Sequence, residues 1–475
     1  MHHDAILIGA GMSGLAAALR LALFGKDVVV LERHNLWGGL NSFYTKDGHA
    51  FDVGLHALTN FVPAGTRGAA LTKVLRQLRI RHAELKLGQQ RHSELRVPGA
   101  RLRFSNELDL LTSEIEREFP GQVDGFRRLV SLVESTSLDE EPGAETSGRA
   151  VLEDCIGDRR LVDALLLPLF YYGSAREDDV DWTQLTVLFR AIFLEGLSRP
   201  EGGIRPLINL LVKRCKRAGA DLRLSAGVAR ILTKDGRARG VELESGEVLT
   251  ADTILSSAGF VETMELCGEE VAAAHTGPAD HGRLSFLEVI SVLDTPPAEL
   301  GFGAATCFYS TREPFRYRRP EGTIDPFSGV LSAPTNFEAD RPPAEPLLRA
   351  TVLANPAPWL AFGEDEYRAA KDEACERALA EVDTLLGPWQ SHTTYRDSFT
   401  PRTVQRFTGH RAGAIYGSPR KRKDGRTPID ALVLMGTDQG YLGVVGAMMS
   451  GIAMANRHVI APAASSPSST VEVRA

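Results

Sequence analysis

Cysteine is sparse in this chain of 475 residues: five, at 155, 215, 267, 307 and 375, scattered, odd in number and never in a C-x-x-C pair. That excludes a disulfide framework, a cysteine-held zinc or cluster site and a dithiol relay, and it points to a reducing compartment. No metal site is expected. Positive charge is not in excess either. With 54 Lys and Arg against 61 Asp and Glu, the formal net charge of −7 offers no footprint for nucleic acid. Long apolar runs are missing too. Nothing reaches the roughly 20 uninterrupted apolar residues of a membrane-spanning helix, and the apolar N-terminal stretch is broken by a glycine turn. That stretch starts too early for a cleaved leader to precede it, so a cytoplasmic protein is expected.

What is present begins with "AILIGAGMSGLAAALRLALFGKDVVVLE" at residues 5–32. Residues 5–8 are short, apolar and suited to a strand buried on both faces. Gly9, Gly11 and Gly14 follow as G-x-G-x-x-G. The first glycine permits a tight turn, the second lets a pyrophosphate approach the backbone, and the third lets a helix pack on the strand. A helix is predicted over about 13–23, its N-terminal N–H groups free for phosphates. A second strand over 27–31 ends at Glu32, whose carboxylate suits ribose hydroxyls and opposes a 2′-phosphate. The pattern predicts a dinucleotide site but does not by itself separate NAD from FAD.

Hydrophobic content of 43% and charged content of 24% are those of an ordinary globular protein, and the length fits two interleaved domains. Helical periodicity runs over 106–135 with a break at Pro120 and Gly121, and an acidic, turn-rich connection follows at 138–149. After Pro200 come a predicted helix (205–217), a strand (221–224) and a β-meander (228–254). A further amphipathic helix is predicted over 365–386. The last block has a strand at 431–435, a glycine bend and a small-residue helix. Residues 462–475 are small and polar and are expected to be disordered. No second G-x-G-x-x-G occurs; "GFGAATC" at 301–307 lacks the final glycine.

Beyond Glu32 the chain resembles the flavoprotein amine oxidase and phytoene desaturase superfamily. Gly38, Gly39 and Ser42 match its glycine pair, and Phe51, Asp52 and Gly54 match its "FDxG" segment. Asp438, Gly440, Gly443 and Gly446 match its C-terminal block by position. Within the superfamily, "DGHAFDVGLHALTN" (47–60) is most similar to the carotenoid isomerase and retinol saturase branch. "HRAGAIYG" (410–417) points the same way. The chain departs from amine oxidases at Leu40, where they carry arginine, and from phytoene desaturases at Leu55 and His56, where they carry proline. Hydroxysqualene dehydroxylases pair glycine and histidine similarly.

The resemblance implies an α/β fold in which a Rossmann-like, glutathione-reductase-type FAD domain (1–75, 200–275, 402–461) interleaves with a mixed α+β substrate domain (76–199, 276–401). It implies FAD as cofactor, held without a covalent bond. The implied FAD residues are Gly9, Gly11, Met12, Ser13, Gly14, Glu32 and Arg33 at the first turn, then Gly38, Gly39, Leu40 and Asn41. Gly54, Leu55 and His56 follow, with Val228 and Ala258 from the middle of the chain. Gly436, Asp438, Gly443, Val444 and Val445 close the set.

The reaction implied is FAD-dependent oxidation of a CH–CH bond in an apolar isoprenoid or polyene, with quinone or oxygen taking the electrons. Rival readings are an isomerase or saturase working from reduced flavin, an amine or porphyrinogen oxidase, and an escort-type binding protein without redox chemistry. Residues 165–172 and 187–194 read either as plain core or as the wall of an apolar tunnel. His56 is either a satisfied core histidine or the catalytic proton donor or acceptor. Asp52 is expected to bond its own turn, with Tyr416 and Tyr441 weaker candidates for the flavin face. The basic run "PRKRKDGR" (419–426) reads as a solvated loop, or as a contact with anionic lipid that would make the protein peripheral to a membrane.

Overall fold

The computed structural model describes residues 1–54, 56–138 and 146–461; Leu55, the acidic stretch 139–145 and the tail 462–475 lie outside the described residues. The opening residues form a strand, β1 (His2–Ile8), a helix, α1 (Met12–Ala22), and a second strand, β2 (Val28–Leu31). β1 and β2 run parallel, Ala5 beside Val28 and Ile8 beside Leu31. Asp221–Arg223 extends the sheet beyond β2, and Val248–Ser256 lies parallel to β1 on its other side. The antiparallel meander Val228–Lys234 and Arg237–Leu243 continues that edge, and Leu432–Leu434 pairs parallel with Val248–Ser256. A parallel centre buried on both faces explains why its strands read as unbroken Val, Ile and Leu. The mixed α/β fold with a Rossmann-like sheet is the one expected.

Two helices seal this sheet. Every residue of α1 except Arg20 is buried, and the closing helix Gly443–Ala455 packs against it. They approach so closely that a Cβ on Gly451 would fall 2.0 Å from the Ser13 carbonyl oxygen. The predicted helix after Pro200 is present at Ile204–Arg217, where the Cys215 thiol donates to the Leu15 carbonyl at 3.3 Å.

A second sheet of seven strands runs in the order Thr393–Phe399, Ser285–Leu293, Leu347–Ala354, Ile324–Ser332, Thr306–Ser310, Ser93–Val97 and Ala100–Phe104. The long helix Glu364–Leu386 covers one face. The opposite face meets the helices between 108 and 194, which surround a core of Leu and Phe. The periodicity over 106–135 resolves into Leu108–Glu118 and Val123–Ser135, broken at Pro120 as expected. Among the described residues, no helix is long and apolar enough to cross a membrane.

Candidate active site

The three glycines of the first turn are glycine for three different reasons. Gly9 takes φ +92°, and a Cβ there would sit 2.4 Å from Ser257 Oγ. Gly14 faces the strand, where a Cβ would come within 2.0 Å of the Gly9 carbonyl oxygen. Gly11 has an ordinary backbone, φ −70°, and a Cβ would find nothing nearer than the Gly38 carbonyl oxygen at 3.9 Å. No protein neighbour demands glycine at 11. The room it leaves lies at the N-terminus of α1, and it fits the close approach of a pyrophosphate.

Glu32 is fixed by the main chain at the end of β2. One carboxylate oxygen accepts from Ala10 N at 2.8 Å and the other from His34 N at 2.9 Å. Each oxygen keeps a second lone pair for a diol.

A cavity of about 930 Å³ opens from this turn, at the top of the range for ligand pockets. Gly9, Gly11, Met12, Ser13, Glu32 and Arg33 line it, as do Gly38, Gly39, Leu40 and Asn41. Gly54 and His56, Val228 and Ala258, and Gly436, Gly443 and Val444 line it as well. These residues come from distant parts of the sequence, brought together by the carboxyl ends of the parallel strands.

Three expected residues stand elsewhere. Gly14 packs helix against strand behind the wall. Val445 is wholly buried in the core beside α1. Leu55 lies outside the described residues. Asp438 is the substantive correction: it is buried away from the cavity lining and turned to the main chain. Its oxygens accept from Phe260 N at 2.6 Å and Ser418 N at 2.7 Å, with Lys421 Nζ at 3.8 Å. Its neighbour Thr437 lines the cavity instead. Asp52 also departs from its expected self-bonded turn. It accepts from Ile204 N at 3.0 Å and pairs with the buried Arg199.

The stretch 161–197 is mostly plain core. Leu165, Leu166, Phe170, Phe189 and Phe193 are at most 1% exposed and pack in one cluster. From that stretch only Tyr171 and Tyr172 reach the cavity wall. There Phe286 stacks on Tyr171 (5.8 Å between centroids, 20° between planes) and meets Tyr416 edge-on at 5.9 Å. Val330, Ile415 and Leu442 complete an apolar end. Both weaker tyrosine candidates, Tyr416 and Tyr441, line the cavity.

A polar group interrupts that apolar wall. Glu288 and Thr351 are directly paired across two strands, so their side chains share one face. Arg349 Nε donates to Glu288 Oε1 at 2.5 Å, and Arg349 also donates to the Val53 carbonyl at 2.6 Å. Thr351 Oγ1 donates to Glu288 Oε2 at 3.1 Å and lies 3.2 Å from His56 Nε2. Burial, then the nearby Arg349 and Arg199, hold the His56 imidazole well below its ordinary pKa, so it is neutral at pH 7. Burial raises Glu288, against the pull of Arg349 and Thr351.

Sequence reasoning missed this group. The one available signal was a lone carboxylate in the apolar run "SFLEVISVL" and a lone arginine in "LLRATVLA". It also missed Glu262 and His410, both on the cavity wall, 3.7 Å apart. Burial alone would lower His410, but Glu262 leaves it raised. Within the basic run, Arg420, Lys423 and Arg426 are exposed, whereas Lys421 and Arg422 are held by their neighbours. Lys421 is buried and donates to the Tyr416 carbonyl at 2.6 Å, and burial pulls it down to about 8. Arg422 lies 3.5 Å over the Phe260 ring, and Lys423 reaches Asp181 at 3.9 Å.

Comparison with known proteins matches this architecture. The family model for flavin containing amine oxidoreductases matches residues 12–458. A prolycopene isomerase from an Oncidium hybrid cultivar is 24% identical, over 96% of this chain and 83% of its own length. The phytoene desaturase of Neurospora crassa is 32% identical over 55% of this chain and 49% of its own length. Among solved structures, an oxidoreductase from Methanosarcina mazei has the same fold, with TM-score 0.64 at 18% identity, covering 96% of this chain and 100% of that one. The chain belongs to the flavin containing amine oxidoreductase family and is an FAD-dependent oxidoreductase.

Proposed function

We propose that the protein oxidises a CH–CH bond of an apolar isoprenoid or polyene, a carotenoid-type desaturation. The observation that carries this is the single cavity shared by the glycine turn, Glu32 and an aromatic end built from Tyr171, Tyr172, Phe286 and Tyr416. A polyene has no polar handle, so shape and apolar contact must hold it, and such a wall does so. The relatives named for prolycopene and phytoene fit the same substrate class.

FAD would be held by the N-terminus of α1, Glu32 and the turns at Gly38, Gly54 and Gly436, and when bound it supplies a two-electron hydride acceptor. His56 takes the proton lost from the neighbouring carbon at Nδ1, the electron pair of that C–H bond becoming the new π bond. Its neutral state makes it a base at pH 7. The packed aromatic wall excludes water. Quinone or oxygen is the terminal acceptor, since the sequence carries one dinucleotide fingerprint and no dithiol relay to bring electrons in.

Mixing the oxidised protein with a saturated or partly saturated isoprenoid under argon should bleach the flavin band and yield a more conjugated product. Turnover only by pre-reduced protein would overturn the desaturase reading. It would favour the isomerase or saturase reading, which the 96% coverage by prolycopene isomerase supports.

A further inference from the structure

The geometry points to Thr351 and the Glu288–Arg349 pair as positioning residues that fix the tautomer of His56, holding the hydrogen on Nε2 and leaving Nδ1 as its one basic nitrogen. This deepens the reading of His56 as base and rests on it. The direction of each hydrogen bond follows from the inventory of donors. Arg349 is 1% exposed and can only donate, so it keeps the carboxylate of Glu288 ionised and acceptor-only; a neutral partner would strand a buried guanidinium. Thr351 has one hydroxyl proton, and the Glu288 oxygen at 3.1 Å takes it. The Thr351 oxygen then faces His56 Nε2 at 3.2 Å as an acceptor. His56 Nε2 must carry the hydrogen. In a neutral imidazole that leaves Nδ1 bare, and Nδ1 is buried with no hydrogen-bond partner, on a residue of the cavity wall.

A buried, unpartnered ring nitrogen costs stability unless something arrives to use it. Here every other atom of the group is satisfied, so the vacancy is confined to the atom that faces no protein donor. The charged and titratable groups around the ring are Glu288 and Arg349 on the two paired strands and Arg199 on Ser198–Pro200. Asp52 lies opposite Arg199, and Tyr172 comes from the helix Arg159–Gly173. Glu288 Oε2 lies 3.6 Å from Nε2, too far for a direct bond, so the hydroxyl of Thr351 is the link.

Thr351→Val keeps the shape and removes the acceptor; Thr351→Ser keeps the acceptor. In holoenzyme carrying ¹⁵N-histidine, His56 is assigned as the resonances lost in His56→Ala. The expected wild-type pattern at pH 7 is the neutral tautomer with hydrogen on Nε2, shifting toward hydrogen on Nδ1 in Thr351→Val and returning in Thr351→Ser. Hydrogen on Nδ1 in the wild type, or an unchanged pattern in Thr351→Val, overturns the inference whatever the enzyme's substrate. With an isoprenoid that bleaches the wild-type flavin, Thr351→Val should slow flavin reduction about tenfold or more, a part of the 10²–10⁴-fold expected of a general base. FAD content and substrate affinity should hold, and Thr351→Ser should recover the rate. Equal loss in Val and Ser would make the residue a packing element and sink the proposal. Failure of every isoprenoid to bleach the flavin would sink only the proposed function.

Discussion

Gly11→Ala and Gly14→Ala should fail in opposite ways. At 14 the new methyl would lie 2.0 Å from the Gly9 carbonyl oxygen, where ordinary contact begins near 3.4 Å. That oxygen belongs to a turn locked between β1 and α1, so it has little freedom to withdraw. We take the upper end of the overpacking range, about 3 kcal/mol, and offset about 1 kcal/mol for alanine's better helix propensity. The net loss of about 2 kcal/mol corresponds to a fall in melting temperature of roughly 4–8 °C for a domain of this kind. At 11 the methyl meets no protein atom inside 3.9 Å and its φ of −70° suits any residue, so the apoprotein should melt within about a degree of wild type. FAD affinity, however, should drop by roughly 10- to 150-fold, the loss of one charge-assisted hydrogen bond of about 1.5–3 kcal/mol. Apoprotein melting by circular dichroism and FAD titration by flavin fluorescence measure the two effects separately. A Gly11→Ala protein that binds FAD within twofold of wild type would refute the placement of the pyrophosphate. An apoprotein destabilised as much as Gly14→Ala would refute the packing argument.

Glu32→Ala should weaken FAD binding by about 1.5–3 kcal/mol if its charge-assisted bonds to the ribose are lost, measured by the same titration; an unchanged affinity would remove Glu32 from the site. Acid precipitation should release all the yellow colour, because residues 436–446 contain neither cysteine nor histidine to attach a flavin; colour kept in the pellet would contradict this. Leu166→Asp should unfold the protein rather than merely block substrate, since Leu166 is fully buried and an unpaired charge there cannot be hydrated; a soluble variant melting like wild type would restore the tunnel-wall reading. His56 has a folded pKa below its unfolded value near 6.5, so the unfolded state binds the extra proton first. Its contribution to stability is full above that pH and is lost as pH falls toward the lowered folded pKa. Denaturant midpoints between pH 7.5 and 5 should therefore fall more steeply in wild type than in His56→Gln, and parallel curves would dismiss the buried-neutral state.

The opening fifty residues were legible because strand, turn and helix each leave a local mark: apolar run, glycine spacing, small-residue helix. The same holds for the meander after Pro200 and the closing helix. Asp438 was misplaced because position after a strand does not tell which way a carboxylate turns, and two backbone amides from remote loops claim it. Residues 165–170 could not be sorted, since a helix buried all round shows the same composition whether it faces a ligand or a neighbouring Phe. The group around Glu288 was hidden for a topological reason. Glu288 and Thr351 become neighbours only through strand register, and His56 joins them from a loop near the N-terminus.

The seam between α1 and the closing helix has a consequence for biosynthesis. The first half of the nucleotide cradle leaves the ribosome first, and the strand Leu432–Leu434 and helix Gly443–Ala455 that complete it follow some 400 residues later. At 5–20 residues per second that interval is roughly 20–80 s. During it, α1 presents an uncovered apolar flank, so the nascent chain needs shelter by a chaperone or by its own intermediate segments. FAD can be captured firmly only once residues 432–455 have emerged, which makes flavin loading a checkpoint that any nonsense mutation upstream of 432 fails.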